Sequence, residues 1–128
     1  MPVTTPDAVE RQNFGPVEVG QVDLDGYTVS FLHFLAPVDM NQMLRGLPGD
    51  ICHCPHWGIV TDGRMTVRYA DHEEVVETGD VFYMAPGHVP EYLPGTRLIQ
   101  FSPTEESKIL DEVIQRNARA LLGAPDPA

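Results

Sequence analysis

The sequence is poor in cysteine and in basic residues, and it has no long hydrophobic run. Its two cysteines, Cys52 and Cys54, are badly placed to bridge each other on an extended chain, so we expect free thiols or ligands. Eight Lys and Arg against nineteen Asp and Glu leave a net charge of −11, which argues against binding to nucleic acid or an anionic membrane. No apolar run approaches the roughly 20 residues of a membrane helix. Because the N-terminus also lacks the pattern of a secretory signal, we expect a cytoplasmic protein.

Length and composition predict one domain with its own hydrophobic core. A chain of 128 residues, 42% of them apolar, can bury enough surface to fold without disulfides or a structural metal. We therefore expect any bound metal to take part in chemistry rather than to stabilise the fold. Residues 1–16 contain three prolines and no apolar periodicity, so we expect a loose arm or an edge segment there. Residues 17–102 are assigned to the main domain and residues 103–123 to a C-terminal helix.

Between residues 17 and 102 the pattern is typical of an all-β domain. Short runs rich in Val, Ile, Tyr and Phe alternate with turns that contain Gly, Pro and Asp. A short helix at 38–46 is only weakly indicated. This regular spacing favours a sandwich or a barrel over parallel βαβ units. The candidate strands are 17–22, 27–35, 51–60, 65–70, 74–77, 81–84, 88–92 and 97–101.

The C-terminal region carries the one strong helix signal. Ser102-Pro103-Thr104-Glu105 offers an N-cap, a proline at the first helical position and a capping acid. Apolar residues then recur every three or four positions until Gly123. The pattern predicts an amphipathic helix that covers one side of the β domain. Its apolar positions are Ile109, Leu110, Val113, Ile114, Leu121 and Leu122.

The strongest chemical signal is the segment Asp50–Gly58, which holds both cysteines and two of the five histidines. If this segment is extended, Cys52, Cys54 and His56 share one face. Thiolate and imidazole together suit Zn²⁺, Fe²⁺ or Cu better than Mg²⁺ or Ca²⁺. Pro55 cannot donate to a β ladder, so an edge, a bulge or a strand start is expected at that point.

A second segment, Gly79–Pro90, ends in a tight turn that delivers His88 to the start of the next strand. This segment resembles the second motif of the cupin superfamily, and residues 49–63 resemble its first motif. The two resemblances together cover roughly residues 25–102. They imply a cupin-type double-stranded β-helix, a jelly-roll barrel, with a metal site inside it. The resemblance also implies a homodimer that pairs through an N-terminal strand.

The ligand set departs from the cupin pattern. In one alignment Cys52 and Cys54 replace the two histidines of the first motif, and His56 replaces its glutamate. A gapless alternative places Asp50 and Cys52 at the histidine positions. In the second motif the nearest imidazole, His88, lies two residues before the usual histidine and on the same face of a regular strand.

The chain is also similar to small cupins that contain Cys-Pro-His-Trp-Gly followed by Pro-Gly-His-x-Pro, here at residues 54–58 and 86–90. This resemblance implies a shared metal site built on Cys54, His56 and His88. The metal-ligand candidates are Cys54, His56, His88 and Cys52. A thiolate ligand favours Zn²⁺, with Fe or Mn as the alternatives.

Other histidines and tyrosines are candidates for proton transfer or for structure. His33 is a candidate acid or base if it faces the barrel interior, and Tyr69 is a candidate catalytic partner among four tyrosines. His53 is expected to lie exposed or hydrogen-bonded in the barrel wall. His72 stands among acidic residues and is expected to be a solvated turn residue.

Three classes of function fit the sequence. The first is a metal-dependent enzyme that acts on a small organic molecule by lyase, isomerase, hydrolase or dioxygenase chemistry. The second is a non-catalytic cupin that binds a small molecule or senses metal or redox status through its thiols. The third is a structural barrel whose cysteines are buried and inert.

Overall fold

The structure is a computed structural model, and it describes residues 9–122. It confirms a mostly β chain with a C-terminal helix. The strands are β1 (Arg11–Asn13), β2 (Val17–Leu24), β3 (Tyr27–Phe34), β4 (His56–Asp62), β5 (Arg64–Arg68), β6 (Glu73–Glu77), β7 (Val81–Met84), β8 (Val89–Tyr92) and β9 (Arg97–Pro103). The helices are α1 (Met40–Met43) and α2 (Thr104–Leu122), and a 3-10 turn spans Pro48–Asp50.

The strands form two antiparallel sheets. The larger sheet has the order β1-β2-β3-β9-β4-β7, and the smaller sheet has the order β6-β5-β8. Strands that are distant in the sequence lie side by side, since β9 pairs with both β3 and β4. This crossed order is that of the predicted jelly-roll barrel.

An apolar core fills part of the barrel interior. Val60 on β4, Met65 and Val67 on β5, and Leu98 on β9 are each 1% exposed or less. Alternation along each strand turns these side chains inward and their neighbours toward solvent. The remaining part of the interior holds the cavity described below.

Of the two alternatives expected for the N-terminal arm, a loose arm or an edge segment, the structure shows an edge strand at residues 11–13. Arg11 of β1 lies opposite Gly20 of β2, and Asn13 lies opposite Glu18. The arm is therefore not loose at residues 11–13, where it forms the edge of the larger sheet. The first part of the predicted arm, residues 1–8, lies outside the described residues.

The strand predicted over residues 51–60 is wrong in its first half. The observed strand, β4, begins only at His56. Before it, Gly49 and Asp50 adopt left-handed backbone conformations with φ of 69° and 57°, and Pro55 has no N–H to donate to a ladder. The two cysteines therefore lie in an irregular segment, where alternation between faces does not apply.

The C-terminal helix begins one residue later than predicted, at Thr104 rather than at Pro103. Ser102 lies opposite Thr28 in the β3–β9 pairing, so it belongs to the sheet rather than to the helix. The helix begins at Thr104, whose N–H donates to the carbonyl of Gly26 at 3.0 Å. It packs on α1, β3 and β9. Its predicted last residue, Gly123, lies outside the described residues, and no helix within residues 9–122 is long and apolar enough to cross a membrane.

The weakly predicted short helix is present as α1. The Asp39 carboxylate caps it by accepting a hydrogen bond from the backbone N–H of Asn41 at 3.0 Å. Asn117 of α2 donates to the carbonyls of Met43 and Arg45, each at 2.7 Å. These bonds tie α2 to the segment that leads into the candidate site.

Candidate functional site

A cavity of about 410 Å³ lies between the larger sheet and α2. Inward side chains of β3 and β9 line one part of it, among them Leu32 and Gln100, while Leu110 and Ile114 of α2 line another. Its volume lies within the range of sites for small organic molecules, roughly 300–1,000 Å³. The helix expected only to cover the barrel thus also forms a wall of the cavity.

Cys52, His56 and His88 come together at this cavity. All three are buried, and their ligand atoms lie within 4.8 Å of one another. Cys52 Sγ lies 3.6 Å from His56 Nε2. The ring centroids of the two imidazoles are 5.3 Å apart. The structure therefore brings one thiol and two imidazoles to the cavity wall.

Hydrogen bonds orient both imidazoles through Nδ1. His56 Nδ1 lies 2.6 Å from Ser102 Oγ, and His88 Nδ1 lies 2.5 Å from the carbonyl oxygen of Ala85. A carbonyl only accepts, so His88 Nδ1 must carry the proton, which leaves a lone pair on Nε2. Within the described residues, this buried His88 Nε2 has no hydrogen-bond partner. An unpaired buried acceptor of this kind is rare in folded proteins.

Burial keeps these three groups uncharged at neutral pH. It lowers the pKa of His56 to about 3, with a smaller contribution from the neighbouring His88 imidazole. Burial also lowers the pKa of His88. It raises the pKa of the Cys52 thiol to about 11. Both histidines are therefore neutral, the form that binds metals, while Cys52 must release a proton to become a thiolate ligand.

Cys54 lies outside this group. Its thiol contacts the carbonyl of Pro55 at 3.6 Å, and burial raises its pKa to about 12. It packs in an apolar cluster with Leu44, Leu110 and Cys52, but its thiol is not among the ligand atoms that converge with the two imidazoles. The expectation that Cys54 is a ligand rests on the resemblance to cupins with a Cys-Pro-His-Trp-Gly segment, and the structure instead places Cys52 beside both imidazoles.

Neither predicted catalytic candidate lines the cavity. His33 alternates to the outer face of β3, where its Nδ1 lies 3.1 Å from the Glu18 carboxylate. The Tyr69 hydroxyl accepts a hydrogen bond from the N–H of Ala85 at 3.0 Å, and its ring stacks on His72. Tyr69 thus supports the loop that carries His88 rather than facing the cavity.

The remaining two histidines lie at the surface. His53 is exposed, and its Nε2 lies 2.7 Å from the carbonyl of Pro48. His72 is exposed between the carboxylates of Asp71 and Glu74, which raise the pKa of its imidazole. Both placements match the roles expected from the sequence.

Two polar residues that line the cavity, Gln100 and Asp111, are not among the site residues predicted from the sequence. Gln100 is 8% exposed, and its Oε1 has no partner among the described residues. Asp111 of α2 also lines the cavity, and burial raises the pKa of its carboxyl. Strand alternation with Ser102 would have put Gln100 on the inner face. Asp111 gives no such signal, because an acid in an amphipathic helix normally faces water.

Solved structures with the same fold are cupins. The chain is similar to an RmlC-like cupin from Shewanella frigidimarina, with 15% identity, a TM-score of 0.56, and 82% of this chain and 93% of that chain covered. Fe(II) HppE is 12% identical at a TM-score of 0.54, with coverage of 80% and 60%. A variant oxalate decarboxylase from B. subtilis is 11% identical at a TM-score of 0.55, with coverage of 76% and 28%. At these identities the likeness shows the fold alone, and this chain spans less than two thirds of the latter two proteins.

The fold and the interior site define the chain as a cupin. More specifically, it belongs to the family of AraC-like ligand-binding domains, whose model matches residues 56–125, more than half of the sequence. The match begins at His56 and includes the segment that carries His88. A comparison with curated proteins finds no significant match.

Proposed function

We propose that this protein is a metal-dependent cupin enzyme that acts on a small organic molecule inside its barrel. The observation that carries this proposal is the buried group of Cys52, His56 and His88 at the wall of a cavity of about 410 Å³. The unpaired Nε2 of His88 is destabilising unless something binds it. A metal ion would satisfy it.

The donor set fits a transition-metal ion. Hydrogen bonds occupy Nδ1 of both imidazoles, so the two Nε2 atoms would bind the ion together with Cys52 Sγ. Three protein ligands leave a position for water or substrate. The thiolate favours Zn²⁺, and Fe and Mn are the alternatives. When bound, such an ion supplies Lewis-acid activation of water or of a substrate carbonyl.

The other residues of the cavity would position the substrate and move a proton. Leu32 and Leu110 exclude water from the space beside the metal-ligand candidates. Asp111 lines the same cavity, and since burial raises its pKa, its carboxyl holds a proton more tightly than a solvated carboxyl does. With Zn²⁺ the reaction would be a lyase, isomerase or hydrolase reaction, whereas Fe²⁺ in the same site would fit dioxygenase chemistry.

Elemental analysis of the untagged protein tests this proposal. We expect about one transition-metal ion per chain, lost from Cys52→Ser and from His88→Ala. Cys54→Ser is the matched control, because that thiol is also buried and lies nearby but is not one of the three groups whose ligand atoms converge. Circular dichroism must show that all variants are folded. A folded wild-type protein without stoichiometric metal, or a Cys54→Ser variant that alone loses it, contradicts the proposal.

Non-catalytic ligand binding is the second candidate function, and the description of the family as a ligand-binding domain favours it. The chain would then bind a small molecule, or report metal or redox status through its thiols, without turnover. NMR of the metal-loaded protein with small organic molecules separates the two functions. A ligand that shifts protein signals and stays chemically unchanged supports binding alone, whereas a new product signal supports the enzyme.

We further propose that the protein is a homodimer that pairs through the outer face of its larger sheet. Four aromatic residues there, the aromatic patch, are each 41–49% exposed: Tyr27, Trp57, Tyr83 and Phe101. Trp57 contacts both tyrosines, with ring centroids 6.2 Å from Tyr27 and 5.1 Å from Tyr83. Since the patch itself is uncharged in a chain of net charge −11, two copies can bury it without opposing like charges.

Light scattering during size-exclusion chromatography tests the dimer. The wild-type protein should elute with twice the mass of one chain, and Trp57→Ser should shift it toward a monomer. Val75→Ser is the control, because Val75 is an exposed apolar residue of the smaller sheet. A monomeric wild-type protein overturns the proposal, and a dimer that survives Trp57→Ser excludes this face and points to the edge strand β1.

A further inference from the structure

Gln100 presents an unpaired acceptor beside the candidate metal site. The residue is 8% exposed and lines the cavity from β9, and its Oε1 has no hydrogen-bond partner in the described part of the chain. It precedes Ser102 by two residues on the same face, which is roughly 7 Å along a strand. Ser102 in turn contacts His56. A molecule bound at the metal-ligand candidates would therefore reach Gln100.

The neighbours of Gln100 in the sheet do not satisfy its acceptor. On β4 the opposing residue is Gly58, which has no side chain. On β3 the opposing residue is Ser30, whose hydroxyl pairs with Gln21 Nε2 at 3.2 Å and makes no hydrogen bond with Gln100 Oε1. Since buried acceptors are nearly always paired, the missing donor is expected from a ligand in the cavity.

The charges around the cavity are of one sign. Its described lining includes two acids, Glu10 and Asp111, and contains neither lysine nor arginine. Most of the other lining side chains are apolar, including Leu32, Phe34 and Ile114. In the metal-free protein an anionic ligand would meet two carboxyl groups without a cation to pair with, in a chain of net charge −11. A ligand without negative charge avoids this repulsion, and a hydrogen-bond donor on it can pair with the cavity's acceptors.

We propose that the cavity binds a small, largely apolar molecule that bears a hydrogen-bond donor and no negative charge, and that Gln100 Oε1 accepts this donor. Alcohols, primary amides and amines belong to this class. The inference rests on the proposed ligand-binding use of the cavity, whose substrate class it names. It does not require that the ligand contact a metal.

A matched set of probes tests the inference: benzyl alcohol, benzylamine, benzoate and toluene, titrated by ligand-observed NMR into chelator-treated and into Zn²⁺-loaded protein. In the metal-free protein we expect the alcohol and the amine to bind about ten-fold more tightly than toluene and benzoate, the discrimination of one good hydrogen bond. Gln100→Leu should abolish the preference of the alcohol over toluene. Gln115→Leu, which changes an exposed glutamine at the cavity rim, should retain it.

The readouts keep this inference separate from the metal proposal. Preference for the alcohol in metal-free protein supports the role of Gln100 even if elemental analysis finds no metal. In the metal-free protein, equal or tighter binding of benzoate, a preference that survives Gln100→Leu, or no binding of any probe at millimolar concentration overturns it. Gln100→Leu should also keep or raise the unfolding temperature, because it removes an unpaired buried acceptor.

Discussion

Cys52 and His88 exchange two backbone hydrogen bonds, with N···O distances of 2.9 Å and 3.2 Å, although they lie in separate loops. The N–H of Gly87 adds a third bond to the Cys52 carbonyl at 2.8 Å. This bridge is independent of any metal, and it holds the thiol and the imidazole on the same wall of the cavity. The fold therefore assembles the metal-ligand candidates in advance, which lowers the entropic cost of binding an ion.

Ser102→Ala should weaken metal binding without removing a ligand. The Ser102 hydroxyl lies 2.6 Å from His56 Nδ1 and fixes the ring so that Nε2 faces Cys52. Loss of such an orienting bond typically lowers metal affinity by about 10–100-fold. Competition with a chromophoric chelator measures the change. Ser107→Ala, at a buried serine of α2 that also lines the cavity, should keep wild-type affinity, and an equal loss in both variants would refute the orienting role.

Gly58→Ala should strongly destabilise the barrel. A Cβ built on Gly58 would lie 2.7 Å from the Phe82 ring and closer still to the carbonyl oxygen of Ile99. The backbone oxygen cannot move without opening the β4–β9 pairing, so we expect a loss of about 4 kcal/mol or more, which is exceptional for a single substitution. Gly79→Ala has open space around its Cβ and a φ of +90°, so it should cost only about 1–2 kcal/mol. Urea denaturation compares the two, and similar losses would contradict the steric explanation.

Asn117→Ala should loosen α2 over the cavity. The Asn117 amide donates to two carbonyls in and after α1, each at 2.7 Å. Without these bonds the carbonyls of Met43 and Arg45 lose a partner, at a cost of about 1–3 kcal/mol. Hydrogen exchange should show faster exchange in α2 with little change in β5. Lys108→Ala, at an exposed position of the same helix, should leave both rates unchanged.

Most of the fold follows from local patterns in the sequence. Alternation identifies the strands of the barrel, and the 3.6-residue period identifies α2, because both signals lie within a single element. The predicted ends of strands and helices are wrong where the pairing of strands distant in the sequence sets them. The local sequence predicts Ser102 as a helix cap, but Ser102 belongs to β9 because it pairs with Thr28 of β3.

The candidate site is only partly predictable, for a related reason. His56 and His88 stand out by residue type and motif, and the structure does bring them together. Choosing between the two cysteines needs the path of the irregular segment before Pro55, which alternation cannot supply. Alternation with Ser102 places Gln100 on the inner face, whereas Asp111 carries no sequence signal, because its importance depends on where α2 closes the barrel.

Asp111→Asn should stabilise the protein at neutral pH more than at acidic pH. Burial raises the pKa of the Asp111 carboxyl, nearby Asp23 raises it further, and a hydrogen bond from Gln21 partly opposes both effects. The native state therefore binds this proton more tightly than the unfolded chain does. The stabilisation from the protonated carboxyl is fully present below pH 3.8, the ordinary carboxyl value, and is lost as the pH rises through the raised native pKa.

Asparagine keeps the shape of the side chain and cannot ionise, so the variant escapes this loss. Its free energy of unfolding relative to wild type should increase between pH 4 and pH 7, by about 1.4 kcal/mol for each unit by which burial raises the pKa. Urea denaturation across that range measures the difference. Glu112→Gln, at an exposed neighbour on α2, is the control and should change stability little. If the Asp111→Asn difference stays flat or falls with rising pH, the carboxyl is not held in a desolvated cavity wall, and its proposed part in moving a proton to the substrate fails with it.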